Sequence, residues 1–280
     1  MKIEIADLAG YCFGVKRALS MAEDTLKNEP RKVFTLGQII HNPIVVEELD
    51  RKGIHSVSNI EQIPEGSLVV IRSHGLPPSA IKKLNEKGIS TVDATCPFVK
   101  TAQQKAKDLS NQGYFVVLVG TRDHPEVTGI KEQVESDKII VAQTKADLAR
   151  IPSSRKKIGV IVQTTQTLEK LKEIVDPLLD FAQQLKVINT ICNTTKRRQQ
   201  EARKLAAGVD LMLIVGGKNS ANTTHLADIA REVNPNTRHI QSYKEIDKKW
   251  LKGVKKVGLS GGASTPHDHI LEVKKFLEAC

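Results

Sequence analysis

The chain has 280 residues, 40% hydrophobic and 4% aromatic, with four cysteines and a formal net charge of +10; that is enough for one large domain or two to three small ones around a buried core. Met1-Lys2-Ile3-Glu4 lacks the apolar core of a signal peptide, and no apolar run approaches the roughly 20 residues that span a bilayer, so a soluble cytoplasmic protein with reduced, unpaired thiols and no membrane partner is expected. The basic charge is dispersed, densest at Arg155-Lys156-Lys157, Lys196-Arg197-Arg198 and Lys255-Lys256, and without aromatic platforms, helix-turn-helix or zinc-finger spacing it argues against nucleic acid as a partner.

In chain order, the strand-like run Lys2-Ile3-Glu4-Ile5-Ala6 leads to Cys12, and apolar spacing predicts a helix over Val15 to Lys27. A second strand follows and ends in polar residues at His41; a third, Leu68-Val69-Val70-Ile71, ends at Ser73-His74. The same order then repeats. Ile89-Ser90-Thr91-Val92-Asp93 leads to Cys96, a helix over Val99 to Ser110, a second strand ending at His124, and a third, Ile158-Gly159-Val160-Ile161-Val162, ending at Gln163-Thr164-Thr165. Leu185-Lys186-Val187-Ile188-Asn189 leads to Cys192, a helix over Lys196 to Ala207, a second strand ending at Ser220, and a third, Val257-Gly258-Leu259, running out through Ser260-Gly261-Gly262-Ala263-Ser264. His41, His124 and Ser220 stand 29, 28 and 28 residues after their cysteines. Pattern alone carries this repeat; no residue identity supports it.

Strands alternating with helices predict an α/β fold with parallel sheets, in which ligands gather at the carboxyl ends of the strands. The expected units are 14–95, 96–191 and 192–280, with residues 1–13 adding a strand to the third. Arranged about an approximate threefold axis as a trefoil, they would point three cysteines and their polar companions into one cavity. Three unrelated βα turns carrying cysteine would give the same spacing. Three thiolates suit a catalytic zinc or an iron-sulfur cluster with one iron free, and spacing does not choose between them. His41, His74, Ser220, Asn222 and Ser264 are donors without nearby carboxylates, a set suited to a phosphate or diphosphate, and Glu126 is the one acid among them.

Cys12-Phe13-Gly14-Val15, His41-Asn42-Pro43-Ile44-Val45, Ser73-His74-Gly75, Asp93-Ala94-Thr95-Cys96-Pro97, His124-Pro125-Glu126-Val127, Gln163-Thr164-Thr165 and Gly217-Lys218-Asn219-Ser220 together resemble the signature set of the 4-hydroxy-3-methylbut-2-enyl diphosphate reductase family. The resemblance covers nearly the whole chain, in the family's order. It implies a [4Fe-4S] cluster on Cys12, Cys96 and Cys192, whose unique iron takes the substrate's allylic hydroxyl. Two electrons and protons replace that hydroxyl with hydrogen, giving isopentenyl and dimethylallyl diphosphate. It further implies that His41, His74, Ser220, Asn222 and Ser264 hold the diphosphate while His124, Glu126 and Thr164 surround the hydroxyl end. Ala221 stands where relatives carry a serine, so only its backbone amide would serve.

Glu126 is the expected proton donor, because it alone among these residues both donates and accepts a proton and burial would raise its pKa; Thr164 and the diphosphate are the expected relay. No flavin or nicotinamide fingerprint is present, so electrons are expected from an external donor such as ferredoxin or flavodoxin, to a monomer. An iron-sulfur hydro-lyase acting on another phosphorylated small molecule is the alternative. No role is assigned to Cys280, His225, His267 or His269.

Overall fold

Buried β-branched runs dictate the centre of each sheet. In a computed structural model covering residues 1–280, β4 (Leu68–Ile71), β6 (Phe115–Val119) and β10 (Leu211–Val215) are buried at every position, as continuous apolar strands in parallel sheets are. The remaining strands are β1 (Lys2–Ile5), β2 (Val33–Leu36), β3 (Ile54–Val57), β5 (Ser90–Asp93), β7 (Ile139–Ala142), β8 (Lys157–Val162), β9 (Gln184–Ile188), β11 (Thr237–Ile240) and β12 (Lys256–Gly261). The helices are α1 (Phe13–Asn28), α2 (Pro43–Lys52), α3 (Pro78–Glu86), α4 (Pro97–Asn111), α5 (Pro125–Lys131), α6 (Leu168–Phe181), α7 (Asn193–Ala206), α8 (Ala221–Val233) and α9 (His267–Glu278). Pro78, Pro97 and Pro125 open their helices, where the missing N–H costs nothing.

Three four-stranded sheets result, ordered β3-β2-β4-β5, β7-β6-β8-β9 and β11-β10-β12-β1, with every pairing parallel. The α/β class with three parallel-sheet units is as the sequence predicts, and the three orders are equivalent. β1, although first in the chain, pairs with β12 in the position that β5 and β9 hold in the other sheets. In the first two sheets the chain leaves the two central strands in opposite directions, β2 toward β3 and β4 toward β5, β6 toward β7 and β8 toward β9, so a crevice opens between their carboxyl ends, where ligands bind in such folds.

The second sheet illustrates the packing. Val116 and Leu118 face Ala102, Ala106 and Leu109 of α4 together with Val127 and Ile130 of α5; Phe115, Val117 and Val119 face Leu171, Ile174 and Leu178 of α6. Helices thus cover both faces. By their contacts the residues form a larger part, Arg17–Ile39 and Glu48–Cys192, and a smaller part, Met1–Lys16, Ile40–Glu47 and Asn193–Cys280. The larger contains the first two sheets and the smaller the third. No helix is long and apolar enough to cross a membrane.

The structure corrects two details. Each unit has an additional edge strand (β3, β7, β11), four residues long and of mixed burial, and a helix before it (α2, α5, α8). His41, His124 and Ser220 consequently do not end the second strands. They lie five residues beyond β2, β6 and β10, where the next helix begins.

Candidate active site

Each cysteine precedes a helix and is tied by its backbone to the neighbouring strand end. The Cys12 N–H donates to Ala263 O, that of Cys96 to Ser73 O and that of Cys192 to Thr164 O, each at 3.0 Å. Local chemistry shapes the turns. Asp93 Oδ1 accepts the Thr95 N–H at 2.9 Å and Asn189 Oδ1 accepts that of Ile191 at 3.0 Å, so both turns are closed by an Asx residue three positions before the cysteine.

The turn before Cys12 has Ala9 in that place and is closed differently. Gly10, at φ 122°, presents its carbonyl to Arg198 Nη2 at 2.9 Å, while Nη1 donates to Gly261 O at 2.6 Å. Arg198 is therefore a buried clamp, not part of the dispersed surface charge its basic neighbours suggest. Cys12 Sγ accepts the Val15 N–H at 3.5 Å. All three thiols are half-buried and free of disulfides; Cys280 is exposed. Three thiols at equivalent turns give the chain the donors that a catalytic zinc or an iron-sulfur cluster with one open iron would take.

In the larger part of the molecule, Glu126 lies at the second position of α5 and is 1% exposed. Its Oε1 accepts the Thr164 N–H at 2.7 Å and its Oε2 accepts the Thr164 hydroxyl at 2.8 Å. Burial pushes its carboxyl up to about 7, against the opposing pull of the two Thr164 bonds. His124 caps α5: its Nδ1 accepts the Glu126 N–H at 3.1 Å, which assigns the proton of the neutral ring to Nε2. The rings of His124 and His74 meet edge to face, with centroids 5.4 Å apart. His74, Glu126, Thr164 and His124 are thus gathered there, with Cys192 hydrogen-bonded to Thr164 and Cys96 to Ser73.

The smaller part holds the other donors. Ser220 caps α8 and accepts the Thr223 N–H at 3.4 Å. Ser264 Oγ donates to His41 O at 3.1 Å, and Asn42 Nδ2 donates to Ser264 O at 2.9 Å. Asn42 Oδ1 also receives the Val45 N–H at 3.5 Å, so one side chain starts α2 and joins two loops. A methyl group on Gly217 would stand 2.8 Å from His41 O, so glycine permits this close approach. Asn222 is buried, and its Nδ2 donor has no protein acceptor. With the amides opening α8, Ala221 included, this forms a cradle suited to an anion.

Arg198 and Asn42 escape a search for ligand types. Asn42 leaves a signal, because Asn before Pro is a helix-start pair; nothing in the sequence distinguishes Arg198 from a solvated cation.

The family model described as LytB protein matches residues 3–278. The 4-hydroxy-3-methylbut-2-enyl diphosphate reductase of Aquifex aeolicus is 46% identical over 278 residues, covering 99% of this chain and 96% of its own; that of Geobacter sulfurreducens is 46% identical over 273 residues, covering 98% and 95%. Among solved structures, an (E)-4-hydroxy-3-methyl-but-2-enyl diphosphate reductase, described as the terminal enzyme of the non-mevalonate pathway, matches with TM-score 0.75 and 46% identity over 100% of both chains. The E-1-hydroxy-2-methyl-but-2-enyl-4-diphosphate reductase of Plasmodium falciparum matches with TM-score 0.92 and 26% identity, over 99% of this chain and 87% of its own.

Proposed function

The chain belongs to the LytB protein family, and we propose that it reductively removes the allylic hydroxyl of 4-hydroxy-3-methylbut-2-enyl diphosphate, yielding isopentenyl and dimethylallyl diphosphate. Two electrons and two protons enter; one proton leaves with the hydroxyl as water and the other ends on carbon. Cys12, Cys96 and Cys192 are assigned to one [4Fe-4S] cluster, which when bound supplies one-electron transfer and a Lewis-acidic iron. The electrons come from an external carrier such as ferredoxin or flavodoxin, and nothing in this reading requires a second copy of the chain.

The observation that carries the reading is the Glu126–Thr164 pair. A carboxyl pushed up to about 7 is half protonated near neutrality, so it can release a proton to the hydroxyl end of the substrate and regain it from water. Thr164 holds both carboxylate oxygens, which fixes the acid's direction, and its hydroxyl can pass the proton on. The substrate's diphosphate is the second relay member. His124, which caps α5 and accepts the Glu126 N–H, is assigned to the same end.

The diphosphate is assigned to the side chains of His41, His74, Ser220, Asn222 and Ser264 and to the amide of Ala221. Support comes from the buried Asn222 donor and from the start of α8, where amides face an anion at no cost in reorganisation. Anchoring that end aims the hydroxyl end and reduces the entropy lost in reaching a reactive geometry.

The test is consumption of the substrate by anaerobically prepared protein with a chemically reduced one-electron dye. Two dye electrons per substrate consumed support the reading. Consumption without electrons would assign the protein to the hydro-lyases, and an iron-loaded sample that consumes nothing would refute the substrate.

A further inference from the structure

Arg72 follows β4 directly, as Gln163 follows β8, at the crevice of its sheet. Opposite each stands a glycine that directly follows the neighbouring central strand, Gly37 after β2 and Gly120 after β6. A methyl group on Gly37 would collide with Arg72 Nη1, and one on Gly120 would stand 3.0 Å from Gln163 Oε1. Two units therefore fill equivalent crevices in the same way, one with a neutral amide and the other with a cation.

Arg72 does more than fill space. Its carbonyl accepts the Gly75 N–H at 2.9 Å, and its Nε donates to Gly75 O at 3.3 Å. Backbone and side chain together close the turn that carries His74, with Gly75 at φ 78°. No carboxylate faces the guanidinium; burial alone acts on it, lowering its pKa. An arginine in such a place stays charged, so the protein holds an uncompensated cation directly behind the His74 turn.

Resting on the proposed function, we infer that Arg72 is a positioning residue for the diphosphate: it closes the turn presenting His74 and places there a permanent positive charge, of a kind that no imidazole, hydroxyl or amide among the assigned donors carries. A diphosphate brings several negative charges, and a half-buried cation is screened less than an exposed one, so the charge acts mainly on binding. Chemistry at the hydroxyl end is not its task.

The equivalence with Gln163 supplies the decisive variant. Arg72→Gln retains a crevice-filling side chain that the second unit already uses and removes the charge; Arg72→Lys keeps the charge. Inorganic pyrophosphate is titrated into the anaerobic holoprotein, with KM and kcat measured in parallel. Arg72→Gln is expected to weaken pyrophosphate and raise KM about tenfold with kcat within about twofold, and Arg72→Lys to stay within about threefold of the parent. Arg72→Gln binding like the parent, both variants weakening equally, or a loss confined to kcat overturns the inference while leaving the parent's turnover, and so the proposed function, intact. A parent that neither turns over substrate nor binds pyrophosphate overturns both. If Arg72→Gln does not fold, Arg72→Lys decides, a tenfold loss there contradicting the charge role.

Discussion

Glu126 is the proposed acid because one residue combines near-complete burial, a hydrogen-bonded direction and a carboxyl pushed up to about 7. The same burial has a stability consequence. The unfolded carboxyl releases its proton near 4.5 and the folded one near 7, so between those values the folded state binds the extra proton and stability falls as pH rises. The total is on the order of 3 kcal/mol at pH above 7. Glu126→Gln removes this loss. Thermal unfolding of both proteins at pH 4 and pH 8 should show the variant gaining stability relative to the parent only at pH 8; equal pH dependence in both would contradict a raised carboxyl.

At this scale the candidate residues were legible because ligand chemistry limits residue types. Thiolates, imidazoles and one acid stand out in a sequence. Arg72 and Arg198 did not, since a long cation reads as solvent-facing until packing shows its guanidinium turned onto backbone carbonyls.

Among the elements, the βα turn is the working part. Each cysteine turn gives its amide to the end of a neighbouring strand, and in the first of them the opening of the helix also donates, from the Val15 N–H, to Cys12 Sγ. Asn42 shows how much one turn depends on a single side chain, since it caps α2 and holds Ser264 O. Asn42→Ala should cost about 1–2 kcal/mol in chemical denaturation and raise KM more than it lowers kcat. An unchanged KM would detach this loop pair from the diphosphate.

The cysteine-led helices and the third strands were readable from apolar periodicity: α1 and α4 extend one or two residues past the predicted spans at each end, and α7 begins three residues earlier and ends one residue earlier than predicted. The edge strands β3, β7 and β11 were not. Four residues with mixed burial carry too little period to separate from loop, and the seven residues of α5 complete barely two turns. That omission displaced His41, His124 and Ser220 from helix starts to strand ends in the reading of the sequence, although their order was right.

For the whole molecule, three equivalent sheet orders make the repeat visible that residue identity hides, and β1 completes the third sheet from the far end of the chain. Pattern survives because topology constrains where a turn can carry a ligand, whereas the side chains between turns are free to diverge. The assigned cluster has a corresponding consequence. Cys12→Ala, Cys96→Ala and Cys192→Ala should each reduce iron content and visible absorbance to a similar extent, whereas Cys280→Ala keeps both at the parent level. Loss of iron from only one of the first three would break the equivalence.

The proposed reduction depends most directly on Glu126 as its acid, and Glu126→Gln tests this in the anaerobic, iron-loaded protein with substrate affinity and turnover measured together. The predicted result is affinity within about threefold of the parent and turnover lower by about 100-fold or more. Turnover near that of the parent, with iron content unchanged, would contradict it.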